Sequence, residues 1–510
     1  MDTIAIIDFG SQYTQLIARR LREMSVYSEI FSPDSPSMDP QRYKGIILSG
    51  SPSSIGGKEF SFCKEILQPT IPVLGICYGM QLLNTLFEGT VRPLSKKEYG
   101  KQAIELFSSP IFEGLGKEED VWMSHGDSVE ELSPHFDVIA MSKNGLISAV
   151  RHKALPYFGV QFHPEVTHTA CGETVLANFI RLCQCKRDWT MDLLLHMAEE
   201  EIRERVGSHP VVSLVSGGID STVSTFFCLR ALGAKQVIPI HIDTGLMRTG
   251  ESEEIVELLQ RAGMERIVFL PAKERFLNAL QRVSDPEEKR RIIGHLFIDL
   301  LDEEIRKLDS KAFICQGTLY TDLIESGKGC GKHAAVIKTH HNVGPAIVEE
   351  KRKQGLLIEP NARMFKDEVR KAAKALGVPP HLIGRHPFPG PGLAIRILGE
   401  VTFEKLELLR RADDIYLDEI RKAGLYDAIW QAFAVLLPVS AVGVAGDERL
   451  VGNVAALRAV SSIDGMTASA YPMPPELLER IACRIINETK GIARVVYDIT
   501  SKPPGTIEWE

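Results

Sequence analysis

"VVSLVSGGIDSTVS", residues 211–224, is the stretch that decides the fold of the middle of the chain. Its β-branched apolar start predicts a buried strand, Gly217 and Gly218 predict a tight turn, and the hydroxyl-rich end suits the first turn of a helix. Backbone N–H groups at a helix N-terminus attract anions, so this is the composition of a phosphate-binding loop. The loop lacks the Gly-Lys-Ser/Thr ending that grips β- and γ-phosphates, which indicates chemistry other than γ-phosphoryl transfer.

Similar strands lie on both sides of this loop. Downstream, "QVIPIHIDTG", "RIVFLPA" and "AFICQGT" each predict a strand that ends where polar or small residues begin. Ligands of open parallel sheets bind at that carboxyl end, so we expect the binding site there. Upstream, "GIILSG", "PVLGICYG" and "YFGVQFHPE" alternate with helical or loop segments, which predicts another doubly wound α/β domain.

Two segments favour domain boundaries. A charged amphipathic helix pattern over residues 189–206 links the two α/β regions, and "GRHPFPGPGL", residues 384–393, predicts a rigid turn. We therefore expect domains at residues 1–187, 188–385 and 386–510, which fits a prior of about 100–200 residues per domain. The expected fold class is α/β, with two doubly wound α/β domains followed by a smaller α+β domain.

Composition argues against several kinds of partner. The formal charge of −8 argues against a broad nucleic-acid-binding surface, and no stretch approaches the ~20 apolar residues of a membrane span. The amino terminus, with Asp2 and Asp8 around a short apolar run, is unlike a basic signal peptide. Nine cysteines without a C-x-x-C pair favour a reducing, cytoplasmic location. We expect small-molecule partners, no nucleic acid and no membrane.

A cysteine stands on a second predicted turn. In "PVLGICYGMQLL", a strand leads through Gly75 to Cys77 and on to Gly79 and a helix-like pattern, as in a nucleophile elbow. The helix start favours a thiolate and can hold an oxyanion. By itself Cys77 could equally be a small buried apolar residue. His163 and Glu165 in "VQFHPE" shift the balance, because an imidazole base oriented by a carboxylate would complete a triad.

With these residues the chain resembles class I glutamine amidotransferase domains, on "LSGSPSS", "GICYGMQ", "EYGKQAI", "SHGDSV" and "GVQFHPEV". The resemblance covers nearly all of residues 1–187 and implies hydrolysis of glutamine to glutamate and ammonia. The sequence departs from the family pattern at Ser51, where the family usually has glycine. If this position needs φ > 0, we expect the serine backbone to be strained there. The roles that the resemblance implies are catalysis by Cys77, His163 and Glu165, an oxyanion hole at Gly50 and Tyr78, and glutamine binding by Gln81 and the "SHGD" loop residues His125, Gly126 and Asp127.

"SGGIDST" resembles the loop of N-type ATP pyrophosphatases, which cleave ATP between the α- and β-phosphates. The resemblance implies ATP as a substrate and Mg²⁺ as a cofactor, with Asp220 as a candidate metal ligand. Asp220 and Asp243 could each instead be an ordinary cap or turn residue. For the adjacent pair His340 and His341 we favour a loop role over a metal site, because adjacent side chains usually diverge. The implied ATP-binding residues are Ser216, Gly217, Gly218, Ile219, Asp220, Ser221, Thr222, Asp243, Gln316, Gly317 and Thr318.

The carboxyl-terminal region suggests the acceptor. "RHPFPGPGL", "DGMTA" and "RIINETKGIARVVYDITSKPPGTIEWE" resemble the terminal domain of the glutamine-hydrolysing GMP synthase family. That resemblance implies xanthosine 5′-monophosphate (XMP) as acceptor, adenylylated at its C2 oxygen and then attacked by ammonia. It also implies a homodimer formed through this domain. The implied XMP-binding residues are Arg290, Gln431, Lys502 and Glu508.

Two alternatives remain at the level of sequence. Another amidotransferase with an ATP pyrophosphatase domain could act on a different acceptor. A non-catalytic nucleotide sensor could keep the folds without the reactions, although the presence of Cys77, His163, Glu165 and Asp220 together argues against it. Segments 340–355 and 361–370 depart from the family pattern in the synthetase region, so we leave the coupling between its sites open.

Overall fold

The computed structural model describes residues 1–34, 38–55, 62, 64–307, 311–320, 346–445, 448–462, 465 and 467–510. These residues form two compact units. The first comprises Met1–Leu194 and Tyr320, and the second comprises Leu195–Leu319 and residues 346–510. His340 and His341 lie outside the described residues, so the loop role expected for them stays a prediction. The three domain boundaries also stay predictions.

The first unit is built on one sheet, which has nine strands in the described part of the chain, in the order β2-β1-β3-β4-β9-β8-β7-β5-β6. The strands β2, β1, β3, β4 and β9 are mutually parallel, and the others pair antiparallel. The strands are β1 (Thr3–Ile7), β2 (Tyr27–Phe31), β3 (Gly45–Leu48), β4 (Val73–Ile76), β5 (Thr90–Leu106), β6 (Glu118–Glu131), β7 (Phe136–Ser142), β8 (Ile147–His152) and β9 (Tyr157–Val160). The helices are α1 (Thr14–Glu23), α2 (Tyr78–Leu86) and α3 (Gly172–Leu182).

The parallel strands are the core of this unit. Every residue of β3, β4 and β9 is buried, which explains their uninterrupted apolar runs: both faces of a parallel sheet are covered. Helix α4 (Met191–Val206) follows, at the position where the sequence predicts an amphipathic linking helix.

The second unit begins with a parallel sheet in the order β12-β11-β10-β13-β14. The loop "VSGGIDS" therefore lies at the carboxyl end of a strand with parallel neighbours on both sides. The strands are β10 (Val211–Leu214), β11 (Val237–Asp243), β12 (Val268–Pro271), β13 (Phe313–Cys315) and β14 (Leu357–Ile358). The helices are α5 (Ile219–Leu232), α6 (Glu251–Arg261), α7 (Lys273–Ala279), α8 (Pro286–Ile305), α9 (Ala346–Lys353), α10 (Lys366–Ala375) and α11 (Pro380–Ile383).

An α+β portion completes the second unit. The long hairpin of β15 and β16 is antiparallel, and β18 pairs with β16 in parallel. The elements are α12 (Phe403–Lys422), β15 (Gln431–Ala445), β16 (Glu448–Ser461), β17 (Ser469–Ala470), α13 (Pro475–Glu488) and β18 (Ile492–Asp498). The predicted fold class is confirmed.

The proline- and glycine-rich turn between these portions is tightly packed. Gly392 has φ +63°, and a Cβ there would lie 2.4 Å from Leu246 O, so only glycine fits without displacement. The N–H of Leu393 donates to the same carbonyl at 2.8 Å. Among the helices that the structure describes, none is long and apolar enough to cross a membrane.

Candidate functional site

The turn between β4 and α2 carries Cys77 at the carboxyl edge of the parallel strands. Cys77 has φ 53° and ψ −105°, a conformation that non-glycine residues rarely adopt. Its N–H donates to Val160 O at 2.7 Å, which anchors the turn to β9. A Cβ on Gly75 would lie 2.4 Å from the backbone of Gly79, and one on Gly79 would lie 2.3 Å from Leu48 O. The two glycines therefore let the helix start close enough to the sheet to form this turn.

His163 and Glu165 lie beside this cysteine. Their Nδ1 and Oε1 atoms are 2.7 Å apart, and both side chains are buried. Burial alone lowers the pKa of His163, but the charge of Glu165 and hydrogen bonds with Cys77 and Glu165 raise it well above its usual value. The ring of Tyr13 packs edge-on against the imidazole at 4.9 Å. Cys77, His163 and Glu165 are thus brought together, and their catalytic roles stay predictions.

The two expected oxyanion donors flank the same site. A Cβ on Gly50 would lie 3.5 Å from His163 Cε1, so this backbone is adjacent to the imidazole. Tyr78 is the first residue of α2, where backbone N–H groups point out of the helix end. The strain considered for Ser51 does not arise, because its φ lies outside the left-handed region. Its Oγ accepts a hydrogen bond from Ser53 N at 3.1 Å.

A chain of amide hydrogen bonds borders Cys77 on another side. Gln81 Nε2 donates to Asp127 O at 2.9 Å and to Gln161 Oε1 at 3.1 Å. Gln161 Nε2 in turn donates to Cys77 Sγ at 3.5 Å. His125 Nδ1 also bonds Asp127 O, at 2.9 Å. Gln81, His125 and Asp127 therefore meet at one carbonyl next to the cysteine.

The expectation that "SHGD" forms a loop is wrong. Ser124, His125, Gly126 and Asp127 lie inside β6. Ser124, His125 and Asp127 pair with β5, with a register shift in the ladder between the pairs of His125 and Asp127. The pairing sets His125 opposite Glu98, whose Oε2 lies 3.3 Å from His125 Nε2, and both side chains are buried. Pairing with β5 holds the backbone of Ser124, His125 and Asp127.

The glycine loop after β10 has the geometry of an anion cradle. Gly217 has φ +83°, and a Cβ there would lie 2.3 Å from Ile255 Cδ1. Ser216 Oγ and Ser221 Oγ are 3.1 Å apart across the turn, and α5 begins at Ile219 with Asp220 in its first turn. Partial positive charge at this helix end favours a phosphate.

Thr222 has a different environment from the serines. Its side chain is buried, and its Oγ1 donates to Gly218 O at 2.9 Å. The hydroxyl is thus engaged within the first turn of α5, and the contact with ATP expected for it stays a prediction.

Two neighbouring strands bring the other expected ATP residues to the same edge of the sheet. Gly317, just after β13, packs so closely on the loop that a Cβ would lie 2.9 Å from Asp220 C and Ser221 N. Thr318 Oγ1 donates to Glu359 Oε1 at 2.7 Å. Gln316, the residue between β13 and Gly317, donates its backbone N–H to Ile358 O at 3.0 Å.

Asp243 ends β11, the other neighbour of β10. Its Oδ1 accepts the N–H of Gly245 at 3.0 Å, and its Oδ2 lies 3.2 Å from Lys273 Nζ. The carboxylate therefore fixes the turn that follows β11. Among the residues that the structure describes, no group of three or more His, Cys, Asp or Glu side chains is arranged to hold a metal ion.

Of the four expected XMP residues, the structure joins two directly. Gln431 Nε2 donates to Glu508 Oε1 at 2.7 Å. Arg290 NH2 donates to Glu510 O at 2.5 Å, two residues further along the same terminal segment. Lys502 Nζ donates instead to Gly465 O at 2.9 Å.

Sequence reasoning gave no role to four buried residues at these sites. Glu98 and Gln161 stand inside "EYGKQAI" and "GVQFHPEV", so their motifs were recognised but their contacts were not. Arg396 is fully buried and makes a bidentate pair with Glu508, at 3.1 and 2.8 Å. Lys289, also fully buried, lies 2.5 Å from Glu510 Oε2. A buried charge within an otherwise ordinary sequence carries no local signal, because its partner is distant in the chain.

Comparisons with known proteins identify the relatives of this chain. The model "Glutamine amidotransferase class-I" matches residues 5–183, and "GMP synthase C terminal domain" matches residues 418–509. The glutamine-hydrolysing GMP synthase of Thermosipho africanus is 49% identical over 520 residues, with 100% of both chains covered. The corresponding protein of Aquifex aeolicus is 49% identical over 514 residues, covering 99% of each chain.

A solved structure of a putative GMP synthase subunit from Thermoplasma acidophilum is 32% identical, with a TM-score of 0.32, and covers 36% of this chain and 94% of that chain. Identity of 49% over the full length of the Thermosipho africanus and Aquifex aeolicus enzymes decides the family. The chain belongs to the family of glutamine-hydrolysing GMP synthases.

Proposed function

We propose that the two sites divide the reaction of this family between them, with ammonia made at Cys77 and used at the loop of residues 216–222. As a glutamine-hydrolysing GMP synthase, the chain is a ligase of purine biosynthesis that takes nitrogen from glutamine and aminates XMP to GMP with ATP. The observation that carries the residue assignment is the contact of His163 with both Cys77 and Glu165 beside a strained turn.

In the proposed glutaminase reaction, the Cys77 thiolate attacks the side-chain carbonyl carbon of glutamine. The resulting oxyanion accepts hydrogen bonds from the N–H groups of Gly50 and Tyr78, each worth about 3 kcal/mol in comparable sites. The His163 imidazolium gives its proton to the departing nitrogen, so ammonia leaves and a thioester remains. Neutral His163 then takes a proton from water, whose oxygen attacks the thioester and releases glutamate and the thiol.

In the proposed synthetase reaction, the C2 oxygen of XMP attacks the α-phosphorus of ATP and pyrophosphate leaves. Ammonia then adds to C2, a proton is lost, and AMP departs with the former C2 oxygen, leaving GMP. Backbone N–H groups of residues 216–219 and the serine hydroxyls would hold the pyrophosphate portion. Asp243 and Thr318, at the ends of the neighbouring strands, would border the rest of the nucleotide.

Mg²⁺ fits the chemistry of this loop. Asp220 supplies one carboxylate beside the phosphate cradle, and Mg²⁺ is usually held by one or two carboxylates together with substrate phosphates and water. A bound ion would neutralise part of the phosphate charge.

For XMP we propose Arg290, Gln431, Lys502 and Glu508. Support comes from the contact between Gln431 and Glu508 and from the nearby cation of Arg290. Lys502 would have to exchange its bond to Gly465 O for the ligand, which a flexible ammonium can do.

We also propose a homodimer formed through the α+β portion. Exposed valines lie on the hairpin of β15 and β16, with Val444 78% and Val451 62% exposed. Apolar groups concentrated on one hairpin suit contact with a second copy of the same surface. Light scattering should give a molecular mass twice that of one chain. The double substitution Val444→Lys and Val451→Lys should lower this mass toward that of one chain.

The proposed location is the cytoplasm. All seven cysteines in the described part of the chain are free thiols, which suits a reducing compartment. Cell fractionation with compartment markers would test this, and recovery of the protein outside the cytoplasmic fraction would count against it.

GMP formation from XMP, ATP and Mg²⁺ tests the assignment, with glutamine or ammonium as nitrogen donor and with wild type compared to Cys77→Ala. We expect the variant to lose only the glutamine-dependent reaction. Loss of both the glutamine-dependent and the ammonium-dependent reaction in Cys77→Ala would contradict the proposal that the two sites carry out separate reactions. Intact XMP binding without turnover in wild type would support the nucleotide sensor, and amination of another acceptor would support the other amidotransferase.

A further inference from the structure

The side chain of Gln161 joins two groups of the glutaminase site. It lies one residue beyond β9 and is 1% exposed. One end of its amide contacts Cys77 Sγ at 3.5 Å, and the other contacts Gln81 Nε2 at 3.1 Å. An amide in a buried position needs partners for both ends, and here one of the partners is the proposed nucleophile.

The orientation of both amides follows from a single fixed acceptor. Asp127 O is a backbone carbonyl and can only accept, so the nitrogen of Gln81 must face it, as it does at 2.9 Å. The second N–H of that nitrogen then meets the oxygen of Gln161. Gln161 consequently turns its own N–H toward the sulfur, and a flipped amide would break the series.

We propose that Gln161 is a positioning residue of the glutaminase site, which holds the Cys77 thiolate through Nε2–H and fixes Gln81 so that only its Oε1 can face the substrate. This inference rests on the proposed role of Cys77. Both N–H groups of Gln81 are already used, so Gln81 offers glutamine an acceptor for one of its N–H groups.

A donor at this place matters because the Cys77 side chain is buried. A thiolate in a buried site loses its hydration, and an N–H donor replaces part of it. His163 supplies one interaction with the sulfur, and Gln161 supplies another from the side of Gln81. Loss of a hydrogen bond to a charged group should lower the rate by about 10–100-fold.

Gln161→Glu tests the proposal in the full-length enzyme. The variant keeps an oxygen for Gln81 but replaces the donor facing Cys77 with a carboxylate. Gln68→Glu adds the same charge at an exposed amide of the same unit and is the matched control. We expect Gln161→Glu to lower kcat/KM for glutamine at least about tenfold. Ammonium-dependent GMP synthesis should stay at the level of the control.

The second readout is the pH dependence of Cys77 alkylation by iodoacetamide, followed by mass spectrometry of the peptide that contains Cys77. Only the thiolate reacts, so losing its donor should move the midpoint about one pH unit higher. A purely structural amide would not shift this midpoint. Gln161→Met, which has similar length and no donor, should shift it in the same direction, and it serves as the test if Gln161→Glu loses the ammonium-dependent reaction.

The outcomes separate this proposal from the proposed function. If the Gln161 variants match Gln68→Glu in both readouts, the positioning role is overturned while Cys77 keeps its place. If wild-type Cys77 is not the alkylated residue whose modification stops glutamine use, the proposed glutaminase site itself fails. Ammonium-dependent synthesis reports on the second unit, and a circular dichroism spectrum that matches the Gln68→Glu control shows that the first unit is folded.

Discussion

His163 Nδ1 lies 2.7 Å from Glu165 Oε1, and both side chains are buried. A carboxylate accepts hydrogen bonds, so this contact keeps a proton on Nδ1 and leaves Nε2 for the exchange with Cys77. The same contact sets the pH behaviour of the site, because it favours the imidazolium form that burial opposes.

Glu165→Gln is expected to lower the pKa of His163, since burial then acts against a weaker opposing charge. In wild type the pKa of His163 is raised, so protonation of His163 contributes to the free energy of unfolding. This contribution is fully present below about pH 6.5, the pKa of histidine in the unfolded chain. It is lost as pH rises through the pKa of His163 in the folded protein. The variant should therefore lose most stability at low pH and progressively less at high pH. Urea midpoints from about pH 5 to about pH 9 measure this difference.

Glu113→Gln is the control for this series, because Glu113 forms an exposed pair with Arg181 in the same unit. Its urea midpoint should differ little from wild type above about pH 6, where an ordinary carboxyl stays ionised. A pH-independent loss in Glu165→Gln would contradict the linkage to His163.

Gly79→Ala should damage the cysteine turn. The added Cβ would lie 2.3 Å from Leu48 O, so α2 must move away from the sheet, at a cost of about 2–3 kcal/mol. Calorimetry should show a lower melting temperature, and glutamine-dependent turnover should fall more than ammonium-dependent turnover. Gly116→Ala, whose Cβ meets nothing closer than 3.5 Å, should be close to neutral. Equal effects of the two substitutions would refute the packing argument.

Gly317→Ala should impair the ATP loop without affecting glutamine hydrolysis. Its Cβ would lie 2.9 Å from the backbone of Asp220 and Ser221, which displaces the first turn of α5. We expect the KM for ATP to rise at least about tenfold, since one hydrogen bond from the loop to a charged phosphate is worth roughly 1.4 kcal/mol or more. Pyrophosphate release with ammonium as donor is the measurement.

Gly294→Ala is the matched control for the ATP loop. Gly294 lies in α8 with open space around its Cβ position. Alanine there should raise the free energy of unfolding by up to about 1 kcal/mol. An unchanged KM for ATP in Gly317→Ala would show that the loop does not contact the nucleotide.

Arg396→Met should unfold the second unit more easily and weaken XMP binding. Its guanidinium is fully buried, lies 4.1 Å from the ring centre of Phe433 and pairs with Glu508. The substitution leaves the Glu508 carboxylate without its cation, which should lower the free energy of unfolding by about 3 kcal/mol. Arg291→Met removes an exposed pair with Glu288 and should leave the melting temperature nearly unchanged. The melting temperature from calorimetry and the KM for XMP should distinguish Arg396→Met from Arg291→Met. Equal values for the two variants would show that the buried pair of Arg396 and Glu508 does not support XMP binding.

The sequence by itself determined the local architecture of both sites. "GICYG" and "SGGIDST" predict strand, turn and helix because each residue type has a local requirement: apolar runs for buried strands, glycine for close approach, and hydroxyls or small residues at a helix start. The structure has a turn at both places, with Cys77 in an unusual conformation and Gly217 at positive φ. The family and its reaction also followed from these motifs and their order.

Only the tertiary structure decided which distant groups meet. The pairing of β5 with β6 sets Glu98 against His125 and turns the expected "SHGD" loop into a strand. The order of the first sheet sets β9 beside β4, which brings Gln161 to Cys77 and His163 to the same edge. Arg396 finds Glu508 only when the terminal segment folds back. Such contacts depend on strand order and chain reversal, which local residue preferences do not encode.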